Sequence, residues 1–275
     1  MKVVRTLFAL GLAGLFLAAA MPAMAVPTVY NLTDDNSSIS VDLTGGAGIN
    51  AWTVDAINHL ETQWFWYRTG AMTDEAAINT LAITKSGPTD TNFDTFPDTA
   101  YVKYTGAGFT VELRASLDGG AAGTGNSTLA EQITIKNTGA ANLTFHFFQY
   151  TDFNLGGTPL DDTIQIVGTL PDSIFQSDPK YDGDTVVVPK ADAYEAGGAA
   201  ALLNLFSDGA PTTLANVTTA GPGNDVAWAL QWDRILQPGK TFQIVIGKEI
   251  APEPATMAML VLGGAGLFLT KRRRG

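Results

Sequence analysis

Between Ser127 and Asn137 the chain alternates, with Leu129, Glu131, Ile133 and Ile135 on one side and Ala130, Gln132, Thr134 and Lys136 on the other, until Asn137-Thr-Gly139 ends the run. A largely apolar/polar period of two is the repeat of a strand with one face buried and one in water. Similar runs, each bounded by Gly, Pro, Asn or Asp, recur along the chain. Turn residues predict three hairpins: 127–137 with 142–154, 99–105 with 109–117 across Gly106-Ala-Gly108, and 226–236 with 241–248 across Gln237-Pro-Gly239. Further strands are expected at 28–32, 38–43, 51–57, 62–69, 78–85, 163–167, 185–188 and 214–218. Only 74–77 and 199–206 invite a short helix. With no helical repeat and no Pro/Ser linker at mid-chain, the expected fold is all-β: a single large antiparallel β-sandwich over 26–251. Two smaller sandwiches are the competing layout.

The 275 residues include no cysteine, which excludes disulfides, thiolate metal sites and cysteine nucleophiles. Acidic residues number 27 against 16 basic. Six of the basic ones, Lys2, Arg5, Lys271, Arg272, Arg273 and Arg274, lie in the two tails, so the body between them carries about −17. Nucleic acid is excluded as a partner, because that binding runs on clustered Lys and Arg. The charge favours divalent cations and disfavours polyanions that no cation bridges.

Both ends carry apolar segments. Met1-Lys-Val-Val-Arg5, an apolar run over 7–20, and Met21-Pro-Ala-Met-Ala25 follow the order of a secretory signal, and Ala23-x-Ala25 suits signal peptidase, with cleavage expected after Ala25. At the other end come Pro252-Glu253-Pro254, an apolar run over 255–270, and Lys271-Arg272-Arg273-Arg274. That run is roughly 24 Å long as a helix, short of a ~30 Å hydrocarbon core, so it suits a transient membrane span. The basic cluster should stay cytoplasmic, which places the body on the far side.

Pro-Glu-Pro, a short glycine-containing apolar helix and a terminal Arg cluster, in that order, resemble the PEP-CTERM sorting signal of Gram-negative bacteria. The resemblance implies recognition by an exosortase, a membrane cysteine transpeptidase that cuts near Pro-Glu-Pro. It further implies transit through the inner membrane and delivery to the cell surface or to an extracellular polysaccharide matrix. It covers only 252–275 and implies no activity for the body.

Within the body, Trp64-Phe-Trp66-Tyr-Arg68 and the pair Trp228 and Trp232 read in two ways: rings that stack on sugars at a surface, or rings that fill the core. Asp152-Phe-Asn154, Asp161-Asp162 and Asp178-Pro-Lys-Tyr-Asp182-Gly-Asp184 place oxygen ligands in turns and are candidates for Ca²⁺, with Asp178, Asp182 and Asp184 foremost, although no EF-hand loop is present. No catalytic residues are assigned, since there is no Gly-x-Ser-x-Gly elbow, zinc spacing, phosphate loop or nucleotide fingerprint. The expectation is an exported, non-catalytic structural or carbohydrate-binding protein. The alternative is a carbohydrate-active enzyme using paired carboxylates and His146 in a sheet-lined groove, an analogy drawn from large sandwiches that epimerise sugars or cleave polysaccharides.

Overall fold

A computed structural model describes residues 29–70, 72–167 and 172–253. The signal segment with Ala23 and Ala25, and the tail from Pro254 through the apolar run to Lys271, Arg272, Arg273 and Arg274, lie outside the described residues. Among the described residues no helix is long and apolar enough to cross a membrane.

The strands form two nine-stranded antiparallel sheets. In the first, β1 (Val29–Asp34), β2 (Ser37–Asp42), β3 (Ile49–Val54), β5 (Leu60–Thr69), β11 (Leu143–Phe153), β17 (Val226–Leu236) and β15 (Ala193–Gly198) lie in that order. Two short strands, β4 (Ile57–Asn58) and β6 (Ala76–Ala77), pair with β3 and β5. The second runs β16 (Thr219–Ala220), β12 (Thr163–Val167), β13 (Ser173–Ser177), β14 (Tyr181–Val188), β18 (Thr241–Pro252), β10 (Ser127–Asn137), β9 (Phe109–Gly119), β8 (Thr99–Gly106) and β7 (Ala82–Thr89). One helix, α1 (Ala199–Asn204), falls within the expected 199–206, whereas 74–77 forms a bend and β6 instead.

The sheets pack face to face through aromatic rings. Phe65 stacks on Phe147 at 5.5 Å between centroids, Tyr67 on Phe145 at 5.9 Å, and Phe109 of the second sheet meets Phe145 edge-on at 5.1 Å. In the same layer Glu131 pairs with Lys248 and accepts a hydrogen bond from Gln63 Nε2 at 2.6 Å, all three side chains being buried.

Of the three predicted hairpins only one forms. β8 and β9 pair from Thr99↔Ser116 to Gly106↔Phe109, turning at Gly108, whose φ of +82° suits glycine. By contrast β10 pairs with β9 and β18 while β11 pairs with β5 and β17, so 127–137 and 142–154 sit in opposite sheets. The same holds for 226–236 and 241–248. Both connections are arches between layers, tied together by buried Asn137, whose Nδ2 donates to the Ala141 and Leu236 carbonyls at 2.8 Å each. The physical reason lies in the outer faces. β10 alternates buried and exposed because the second sheet is bare outside, whereas β11 from Phe147 to Phe153 and β17 from Val226 to Trp232 are buried throughout, because chain segments cover the first sheet.

Candidate functional site

That covered face is where the polar and aromatic groups collect. Register puts Trp66 opposite Phe148, Trp64 opposite Tyr150 and Arg68 opposite His146, all on the side away from the second sheet. The segment after α1 lies over them. Phe206 stacks on Trp66 at 5.0 Å with 20° between planes, and its ring lies 5.5 Å from Phe148. Glu75 holds the segment down: its carboxylate accepts from the Thr212 backbone N–H at 3.0 Å, the Thr212 hydroxyl at 2.9 Å and Arg68 Nε at 2.8 Å. Further along, the Leu214 N–H donates to Gln231 Oε1 at 3.1 Å.

The four tryptophans are therefore core residues, which corrects the reading of them as a sugar-stacking surface. Trp64, Trp228 and Trp232 are fully buried and Trp66 nearly so. Trp228 and Trp232, opposite Thr151 and Phe147, point between the sheets. Trp64 Nε1 donates to Asn79 Oδ1 at 2.9 Å and Trp232 Nε1 to the Pro189 carbonyl at 2.9 Å, so these rings are fixed by polar anchors as well as packing.

Where β15 runs into α1, the covering segment leaves a cleft of about 440 Å³. Gly197, Gly198, Ala199 and Ala220 give it a low wall, and Thr219, Asn224 and Asp225 give it polar side chains. The Asp225 backbone carbonyl accepts the Ala199 N–H at 2.9 Å, which fixes the wall to the helix. Burial, and then the nearby Glu61 carboxylate, raise the Asp225 pKa, and its Oδ1 is buried without a hydrogen-bond partner among the described residues. Behind it stands Asp152, pushed up to about 7 by burial first and by Asp225 and Glu61 after that. The Tyr150 hydroxyl reaches both Asp152 Oδ2 and the Ala199 carbonyl. The phenol donates to Asp152 Oδ2 when that carboxylate is ionised; when Asp152 carries a proton the bond reverses and the phenol donates to the carbonyl alone.

Asp225 carried no expectation in the sequence, and Asp152 only that of a Ca²⁺ ligand in a turn; it lies instead within β11 and is buried. Their coupling joins strands far apart in the chain, and only burial makes the carboxyls unusual.

Other expected groups do not assemble into one centre. Asp178 caps its turn by accepting the Lys180 N–H at 2.6 Å and the Tyr181 N–H. Asp182 and Asp184 share one face of β14. Both are raised mainly by burial, then by neighbouring carboxylates, Glu253 foremost for Asp182 and Glu249 for Asp184. No group of three or more His, Asp or Glu side chains among the described residues is placed to hold a metal. His146 Nδ1 lies 2.5 Å from Asp233 Oδ1, and Gln231 Nε2 donates to the same oxygen at 2.9 Å. Pro252, at the end of β18, lies opposite Tyr181, and the Glu253 N–H donates to the Lys180 carbonyl at 2.7 Å, so the first two residues of Pro-Glu-Pro are held against the body.

No protein-family profile matches the sequence. No curated protein matches it either. Solved structures do share its fold. A bacterial glucoamylase complexed with acarbose superposes with a TM-score of 0.58 at 7% identity, over 86% of this chain and 34% of the glucoamylase, so the chain spans about a third of that protein. A putative aldose 1-epimerase of Escherichia coli K12 gives 0.51 at 12% identity, covering 82% of this chain and 99% of the epimerase. A galactose 1-epimerase of Lactobacillus acidophilus NCFM gives 0.50 at 12% identity, covering 80% and 92%. Likeness at such identity shows architecture: the body is a two-sheet antiparallel sandwich of the kind found in these proteins.

Proposed function

We propose that the body is a saccharide-binding domain of an exported protein, with the ligand seated in the cleft against Asp225. The observation that carries this reading is Asp225, whose Oδ1 is buried and unpartnered among the described residues, in a wall otherwise built of glycine, alanine, Val226, Thr219 and Asn224. Such a wall suits a polyhydroxylated ligand, whose hydroxyls donate to the carboxylate while the low wall brings backbone groups within reach. The fold supports a carbohydrate role, since glucoamylase and aldose epimerases are built on it. Binding is favoured over turnover because the cleft wall offers one carboxyl group, and glycosidic cleavage uses two flanking the bond. Export by the N-terminal signal and sorting by an exosortase through 252–275 complete the proposal, with the surface or polysaccharide matrix as destination. Calorimetric titration with neutral mono- and oligosaccharides tests it. Asp225→Asn should weaken binding at least tenfold. Equal binding by that variant, or no binding of any neutral saccharide, overturns the cleft assignment.

A second reading, a carbohydrate-active enzyme, is favoured by the His146–Asp233 pair. Asp233 would orient the ring and leave Nε2 to exchange protons, beside Arg68 on the same face. Polarimetry of freshly dissolved aldoses and reducing-end release from glycans decide it: turnover that disappears in His146→Ala would replace the binding role with a catalytic one.

A further inference from the structure

The outer face of the second sheet carries a feature that the net charge hides. On adjoining strands β7 to β9, Lys85, Lys103 and Arg114 gather around Tyr101, and Lys136 of β10 lies further along the same face, where its charge acts on Glu112. Lys85 Nζ sits 5.4 Å from the Tyr101 ring centroid and Arg114 Cζ 5.8 Å from it, so one ring orders two cations. Lys103 Nζ bonds Glu112 Oε1 at 2.8 Å. Among the described residues, Lys85, Arg114 and Lys136 have no carboxylate within ion-pair distance. Four of the ten basic residues of the body thus surround a single carboxylate, Glu112, a local charge of +3 on a body of about −17. Between them is a notch of about 100 Å³ lined by Tyr101, Glu112, Arg114, Gln132 and Thr134.

We propose that this patch is a second carbohydrate site, specific for carboxylated saccharides such as a uronate residue within a polymer. The Arg114 guanidinium matches a carboxylate in shape as well as charge, and Lys85 adds a second cation already held in place. Gln132 and Thr134 supply donors and acceptors for ring hydroxyls at the floor of the notch. The sheet around it is uncovered, so a chain can run on in either direction. A nucleic-acid duplex suits the patch less well, because it carries a charge about every 1.7 Å and would lay most of them against the acidic remainder of the surface. A uronate polymer spaces its carboxylates ring by ring. The site lies on the opposite face from the Asp225 cleft and does not depend on it.

Binding of the purified protein to immobilised polygalacturonate, dextran, dextran sulfate and duplex DNA, in low and high salt, tests the assignment. Polygalacturonate should be retained. Retention should weaken at least tenfold in the double variant Lys85→Glu, Arg114→Glu and in high salt, and should be unchanged in Asp225→Asn. Both replaced side chains are exposed, and an unchanged melting temperature checks the fold; the milder pair Lys85→Gln, Arg114→Gln serves if it does not hold. No retention of polygalacturonate, or retention that survives both double variants, overturns the proposal. So does retention of dextran sulfate or DNA as tight as that of polygalacturonate, which would reduce the patch to charge attraction. Loss in Asp225→Asn alone would move acidic saccharides to the cleft, overturning this inference while sparing the other.

Discussion

The Tyr150 hydroxyl stands 3.0 Å from Asp152 Oδ2 and 3.2 Å from the Ala199 carbonyl, so one phenolic proton faces two acceptors. Protonated Asp152 resolves the shortage, in keeping with its pKa near 7. An acid whose folded pKa lies above its unfolded value binds protons more tightly when folded. Its stabilising contribution is complete below about 3.8 and is lost as pH rises through about 7. Asp152→Asn keeps a donor for the phenol oxygen and removes the charge. Thermal unfolding should therefore show the variant gaining on the parent between pH 5 and pH 8, by an amount on the order of a few kcal/mol. An equal effect at both pH values would mean that Asp152 ionises normally.

His59 and Asp162, buried on either side of the turn at Leu155 and Gly156, should respond to pH in opposite senses. His59 accepts the Gly156 N–H at Nδ1, and burial holds its pKa down at about 4. Its contribution is present above about 6.5 and is lost as pH falls through about 4. Burial pushes Asp162 up to about 7, so its contribution is lost as pH rises. Relative to the parent, His59→Gln should look better at pH 4.5 than at pH 8 in urea unfolding, and Asp162→Asn the reverse. Parallel curves for the two variants would refute the pairing of signs.

How much of this was legible follows from particular residues. The alternation over 127–137 marks a strand with one bare face, and β10 has one. The run Phe145-His-Phe-Phe-Gln-Tyr150 does not alternate, which marks a strand buried on both faces and hence in a different environment from its neighbour in sequence. The glycine and asparagine at 137–139 could not decide between hairpin and arch, because both need the same turn chemistry. Trp66 reads as either exposed or buried until Phe206, 140 residues later, is placed on it. The basic patch was not read from the sequence, although Lys103, Arg114 and Lys136 lie on strands that were recognised, because it depends on which strands adjoin. The net charge averaged it away.

Phe206 is what covers Trp66, and removing it should show both in stability and in light emission. Its ring is buried against Trp66 and Phe148, and truncation of a buried Phe typically costs about 3–5 kcal/mol. Phe206→Ala should lower the unfolding free energy by that order and shift tryptophan emission to the red as Trp66 meets water. The other tryptophans should report no change, being fully buried away from Phe206. A large loss of stability without a red shift would mean that the segment collapses onto Trp66 and reseals the face.

The ion pair between the sheets should behave as a unit. Glu131 and Lys248 lie fully inside the sandwich, and burial drives the Lys248 pKa down while Glu131 opposes the fall. Lys248→Met alone leaves the Glu131 carboxylate with only Gln63 as a partner, and breaking a buried pair on one side typically costs about 3–5 kcal/mol. Replacing both ends, with Lys248→Met and Glu131→Gln, removes the stranded charge and keeps an acceptor for Gln63 Nε2. Unfolding of the two single variants and the double variant forms a cycle. The double variant should recover most of what Lys248→Met loses, and additive losses would show that each side chain acts through its own packing rather than through the pair.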